Sequence, residues 1–259
     1  MPNLISLGGI AFANTNITSV NDLGNLTSLE PRTFQNCTSL VSADLSNITS
    51  FGWSSFSGCS NLVLDVATLS TNITFIGEEA FNGCTKVTGV LNLPNLTRMD
   101  SNAFRATGIT SITSLGNLTS TPTWGFQNCP SLTNVTLPSG LTTIGRNCFE
   151  GDTSLTSINL SNVTNIEMSA FVGCTSLGGT INLPNLTGVL GMYAFASTHI
   201  SSISSLGSVT EIQERVFENT DISSITIPNS VKKCNCTLVN NTIVPEIIFP
   251  EGVEEILGG

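Results

Sequence analysis

Charge is what this chain has least of. Only 10% of its residues are Asp, Glu, Lys or Arg, against the usual quarter, while 40% are hydrophobic. Its surface must therefore be made of Ser, Thr, Asn and Gly. Positive charge is the scarcest of all: 8 Lys and Arg face 18 Asp and Glu, a net charge of −10. With no basic stripe to displace counterions from phosphates, nucleic acid is excluded as a partner. The same balance argues against an anionic membrane surface. No apolar run approaches the ~20 residues that a membrane-spanning helix needs, so no membrane insertion is expected. The opening Met1-Pro2-Asn3 lacks the basic-then-apolar pattern of a secretory leader.

Catalytic vocabulary is equally thin. His199 is the only histidine, and Asn16, Gly108 and Asp221 hold its place in similar segments, which predicts a tolerant loop position. Serine abounds, but no Gly-x-Ser-x-Gly elbow occurs and no buried Asp is placed to orient an imidazole. Neither an Asp-rich calcium loop nor a Gly-rich phosphate cradle is present. Glu78, Glu79, Glu150, Asp152, Glu254 and Glu255 are expected as solvated turn charges. The chain is expected to be no enzyme, with no catalytic residues, no cofactor and no metal.

Repetition is what the sequence does have. At 259 residues either two domains or one elongated domain is expected. Phenylalanine is the ruler: Phe12, Phe34, Phe56, Phe81, Phe104, Phe126, Phe149, Phe171, Phe195 and Phe217 stand 22 to 25 residues apart. Five residues before each Phe an apolar side chain recurs, from Leu7 and Leu29 to Leu190 and Ile212, with Thr121 the exception. A strand-like alternation follows each Phe, as in Leu132, Val135 and Leu137 or Leu155, Ile158 and Leu160. A 22-residue unit cannot bury these side chains alone and must stack on its neighbours. The eleventh turn is disguised: Val231 stands five before Cys236, which puts Cys236 in the Phe position, and Ile256 prepares a further coil.

Such periods, punctuated by Leu, Ile and Asn, are the signature of leucine-rich repeats. The segments FQNCTSLVSADLSNIT (34–49), FQNCPSLTNVTLPSGLTTIG (126–145) and ITIPNSV (225–231) resemble the BspA-type, or Treponema-type, leucine-rich repeat family across essentially the whole chain. The resemblance implies a solenoid, mostly β with little helix, in which about eleven coils of 22–25 residues each add one short strand to a parallel sheet. At ~4.8 Å per strand the rod would be about 50 Å long.

A longer period overlies the short one. GVLNLPNLT (89–97) returns as GTINLPNLT (179–187), and the coils of Phe12, Phe104 and Phe195 share a distinct wording 92 and 91 residues apart. This predicts a single solenoid, residues 1–259, built of four-coil blocks at about 12–103, 104–194 and 195–259. Both ends fall inside a coil and neither carries a polar cap, which predicts a piece of a longer array.

Cys37, Cys59, Cys84, Cys129 and Cys174 all sit three after Phe, Cys148 takes a small-residue slot, and these read as small buried core residues. Disulfides between stacked cysteines are the sharper alternative, disfavoured because Cys129 and Cys174 have no partner in the next coil. Cys234 is expected to point outward as the one reactive thiol. Cys234-Asn235-Cys236 offers too few ligands for zinc, which wants four. Numerous Asn-x-Ser/Thr sequons read either as glycosylation acceptors or as by-products of the Asn-Leu-Thr turn whose phase they track.

The candidate binding residues are the outward positions of the strands, Asp44, Asn92, Thr136, Asn159, Asn182 and Thr226, expected to align across coils as a flat polar strip. Trp53, Trp124 and Tyr193, two or three before Phe, are expected on another face, there either to anchor a partner or to cover coil edges. The resulting expectation is a non-enzymatic binding or adhesion module with a protein or glycan partner, displayed at a cell surface or extracellularly. The alternatives are a component of a phage virion, such as a tail fibre, and the targeting array of a larger surface enzyme.

Overall fold

The computed structural model describes residues 4–235 and 246–257. The chain winds as a β-solenoid of ten Phe-marked coils, with 21 short parallel strands and one turn of 3₁₀ helix, Val66–Thr68, among the described residues. The expected sheet is there, one short strand per coil, and most coils add a second strand on another side.

The first of these, the side sheet, is made of two-residue strands around the position five before Phe. It runs through Ser28–Leu29, Ser50–Phe51, Phe75–Ile76 and Arg98–Met99, and resumes from Thr143–Ile144 to Glu255–Leu257. The break falls at Thr121, the coil without an apolar residue in that slot, where a single bridge, Ser120 to Thr143, survives. Thr121 is buried and its Oγ1 accepts the Gly145 N–H at 2.8 Å. In regular coils that N–H goes to a backbone carbonyl instead, as Gly52 N does to Leu29 O.

The second, the front sheet, lies four to eleven residues past Phe and is divided into four hydrogen-bonded sections among the described residues. Its longest strands are Val87–Asn92 beside Gly108–Ser114 and Gly178–Asn182 beside His199–Ser205. These two pairs start 91 residues apart and carry the same two register shifts, after Gly89 and Leu91 and after Gly179 and Ile181. Gly89 (φ 100°) and Gly179 (φ 77°) sit in left-handed backbone that a side chain resists. That explains why the recurring phrase keeps its glycine.

The third side is a tight double turn around Phe. In all ten coils the residues two before and two after Phe have positive φ, for example Arg32 and Asn36, Trp124 and Asn128, Tyr193 and Ser197. Each such non-Gly residue costs about 1–2 kcal/mol. The return is a ladder: alternate N–H groups donate to the next coil, as in Trp124 to Arg146 O (2.9 Å), Phe126 to Cys148 O (3.0 Å) and Asn128 to Glu150 O (2.8 Å). Backbone groups are thereby satisfied on three sides without a helix.

The core is a phenylalanine ladder. Ten rings from Phe12 to Phe217 stack at 5.1–5.9 Å between centroids with planes 2–13° apart, the offset-stacked arrangement aromatic pairs prefer. All but Phe12 are fully buried.

Three sequence expectations are corrected here. Cys234 does not point outward: it is fully buried and pairs in register with Ile212 and Ile256, so it fills the apolar slot five before Phe. The eleventh coil is therefore phased three residues later than Val231 and Cys236 suggested; Cys236 itself lies outside the described residues. His199 is not in a loop but opens the strand His199–Ser205. Asp152 is no solvated turn charge: it is fully buried, three after Phe149, in the cysteine slot.

Candidate binding surface

The outward positions of the front sheet lie in one column. Asn92 pairs with Ser114, and Asn182 with Ser205. Thr136 and Asn159 follow directly on the paired Val135 and Ile158, and Thr226 pairs with Ile248. Asp44 follows Ala43, the partner of Val20, at the same place nearer the N-terminus. All six predicted residues are exposed. Thr136 and Asn159 are brought together in one shallow cleft of about 270 Å³, which Pro138, Ser161 and Asn162 help to line. Sequence reasoning missed Ser114 and Ser205, which fill the column between the named residues. The signal was present, since Ser114-Leu115-Gly116-Asn117 has the spacing of Asn92-Leu93-Pro94-Asn95.

These side chains also turn the chain off the sheet. Asn159 Oδ1 accepts the Ser161 N–H at 3.0 Å, and Ser114 Oγ and Ser205 Oγ accept the Gly116 and Gly207 N–H groups at 3.2 and 3.1 Å, the geometry of Asx and Ser turns. At Asp44 the Ser46 hydroxyl (2.7 Å) and then the Ser46 N–H (3.1 Å) hold the carboxyl below its ordinary value. The turn at Asn159 uses its Oδ1, and the residue stays exposed.

The aromatic candidates lie on the turn side, three coils apart from one to the next. Trp53 and Trp124 are 43% and 36% exposed, and Tyr193 is half-buried. Two are covered by cations, Trp53 by Arg32 at 4.1 Å and Tyr193 by Arg215 at 5.8 Å. They do not join the front-sheet column, so the nine predicted residues form two separate surfaces.

The seven described cysteines are buried and unbridged. The ladder thiols donate to the Phe carbonyl of the preceding coil, Cys59 to Phe34 O and Cys174 to Phe149 O, both at 3.0 Å. Burial pushes the Cys59 and Cys148 thiols up to about 12, so they stay protonated and unreactive. Between Cys129 and Cys174, Asp152 accepts the Cys129 N–H on Oδ1 at 2.7 Å, while Oδ2 is buried without a partner. Burial drives this carboxyl well above its ordinary value. His199 Nδ1 lies 2.8 Å from Asp221 Oδ2, and both side chains are exposed. Among the described residues no group of three metal-ligating side chains converges, and no helix is long and apolar enough to cross a membrane.

The geometry agrees with comparisons to known proteins. No curated protein matches the chain. A leucine-rich repeat protein from Bacteroides ovatus is similar in structure, with a TM-score of 0.75 at 24% identity over 93% of this chain and 71% of that one. A leucine rich cell surface protein from Faecalibacterium prausnitzii matches with a TM-score of 0.45 at 22% identity, over 94% of this chain and 82% of that one. The leucine rich repeat protein of T. pallidum also scores 0.45, at 21% identity over 77% and 79%. The family model described as the BspA type Leucine rich repeat region matches in 6 copies over residues 1–88, 63–178 and 142–258. With its Phe ladder, its stacked parallel strands and this match along nearly its whole length, the chain belongs to the BspA-type leucine-rich repeat family.

Proposed function

We propose that the chain is a non-enzymatic binding module of the adhesion type, which presents its front sheet outside the cell to a protein or glycan partner. The observation that carries this reading is the recurrence of exposed small polar side chains, Asn92 through Thr226, at matching strand positions along successive parallel sections of the front side. Rows of Asn, Ser and Thr suit hydrogen bonding to a protein backbone or to sugar hydroxyls. The repeat family supports a role in interaction, as stacked repeats generally bind along their extended faces. The four-coil block of about 91 residues is the proposed unit of the array, supported by the strand pairs that recur at that distance.

The test is a screen of the soluble chain against immobilised glycans and surface proteins, repeated with Thr136→Arg/Asn159→Arg. The reading expects at least tenfold weaker capture by the variant, with thermal melting lowered only by the loss of the Asn159–Ser161 turn hydrogen bond, because both side chains are exposed. Equal capture by both proteins refutes the assignment to the front sheet.

A further inference from the structure

We propose that the turn side carries a separate carbohydrate subsite at Trp124, built to take one neutral pyranose ring. Six side chains from three successive coils form a grid there. The positions two before and one after Phe are Asn102 and Arg105, then Trp124 and Gln127, then Asn147 and Glu150. Trp124 is at the centre, 36% exposed, in left-handed backbone with φ 53°. A bulky residue in that conformation is strained, and over a third of the indole surface stays open to solvent. Asn102 and Asn147, the residues above and below it, adopt the same backbone at less cost.

The surroundings are tied into one hydrogen-bonded chain. Arg105 Nε donates to Gln127 Oε1 at 2.6 Å, and Gln127 Nε2 donates to Glu150 Oε2 at 2.7 Å. Asn147 Nδ2 donates to the same Glu150 oxygen at 2.5 Å. Gln127 is only 9% exposed and is held by a hydrogen bond at each end of its amide, so the middle of the chain is fixed. The η nitrogens of Arg105 and Glu150 Oε1 remain as a donor pair and an acceptor. Asn102, Arg105, Trp124 and Gln127 line an open cleft of about 320 Å³, at the small end of ligand sites. The backbone is held by Trp124 N to Arg146 O (2.9 Å) and Gln127 N to Trp124 O (3.3 Å), so the groups are pre-organised.

The other two aromatics lack this arrangement. Arg32 covers Trp53, and beside Tyr193, which Arg215 covers, two of the three positions one after Phe are Val172 and Ala196, while the third, Glu218, faces Arg215 at 3.7 Å. An indole beside the Asn102 amide and the Arg105 donors in the cleft, with Glu150 held next to it through Gln127, fits the C–H face and hydroxyls of a pyranose. Glu150 and the net charge of −10 disfavour an acidic sugar.

The experiment titrates a Trp53→Phe protein, in which Trp124 is the only tryptophan, with glucose, galactose, mannose, N-acetylglucosamine and their oligosaccharides. N-acetylneuraminic and glucuronic acids form a second arm. Intrinsic fluorescence and saturation-transfer NMR are the readouts. A saturable response to a neutral sugar is expected, weakened at least tenfold by Trp124→Ala and retained in Trp124→Tyr, with thermal melting unchanged in both. The Thr136→Arg/Asn159→Arg variant keeps this response, which separates the subsite from the front sheet. The proposal is overturned if no neutral sugar binds, if an acidic sugar binds more tightly, or if Trp124→Ala binds as well as its parent.

Discussion

Replacing Asp152 by Cys puts the family's own ladder residue into the one coil that has a carboxylic acid there. Two terms set the expected gain. Asp152 Oδ2 is buried without a partner, a desolvation cost of about 1–3 kcal/mol. A cysteine at the site would instead donate to Phe126 O, as Cys129 does to Phe104 O at 3.2 Å. The Cys129 N–H would return from Asp152 Oδ1 to its own coil's Phe carbonyl, as Cys59 N donates to Phe56 O at 3.0 Å. The second term is ionisation. Burial raises the Asp152 carboxyl well above 3.8 in the fold, so the folded chain holds a proton that the unfolded chain releases. Asp152's favourable linkage is fully present below pH 3.8 and is lost as pH rises toward the folded-state value, at about 1.4 kcal/mol per pH unit. Urea unfolding of both proteins between pH 4 and pH 8 measures this. The advantage of Asp152→Cys should start at about 1–3 kcal/mol and widen with pH. A difference that stays flat across that range would mean that Asp152 titrates as it does in the unfolded chain, and the reasoning would fail.

The ladder, the thiols and the two surfaces offer further checks. Phe126→Ala removes a fully buried ring from the stack and should cost about 3–5 kcal/mol, measured by denaturant unfolding; a loss below 1 kcal/mol would contradict a close-packed ladder. In a Cys236→Ala background the seven described thiols, all buried, should react with Ellman's reagent only after denaturation. Fast labelling at Cys234 in the native protein would restore the outward placement that the sheet register rejects. Thr136→Arg/Asn159→Arg should abolish partner capture, and Trp124→Ala should abolish neutral-sugar binding, each without the other's effect.

The sequence alone determined the repeat, the solenoid and the family resemblance, because the physical cause of each is periodic. A Phe every 22–25 residues with an apolar side chain five earlier can be buried only by stacking. It also pointed to exposed strand positions through the alternation of apolar residues, although the longest front strands break that alternation at two register shifts each. What it could not determine depends on which residue of one coil meets which of the next. Cys234 looked exposed because its phase was counted from Cys236, and only the pairing with Ile212 and Ile256 put it in the core. Asp152 looked like a solvated turn charge because residue type outweighed position, yet its slot three after Phe149 is buried in every neighbouring coil. The Trp124 grid was invisible for the same reason. Arg105, Gln127 and Glu150 are 22 and 23 residues apart along the chain, and only the stacking of coils brings them within hydrogen-bond reach.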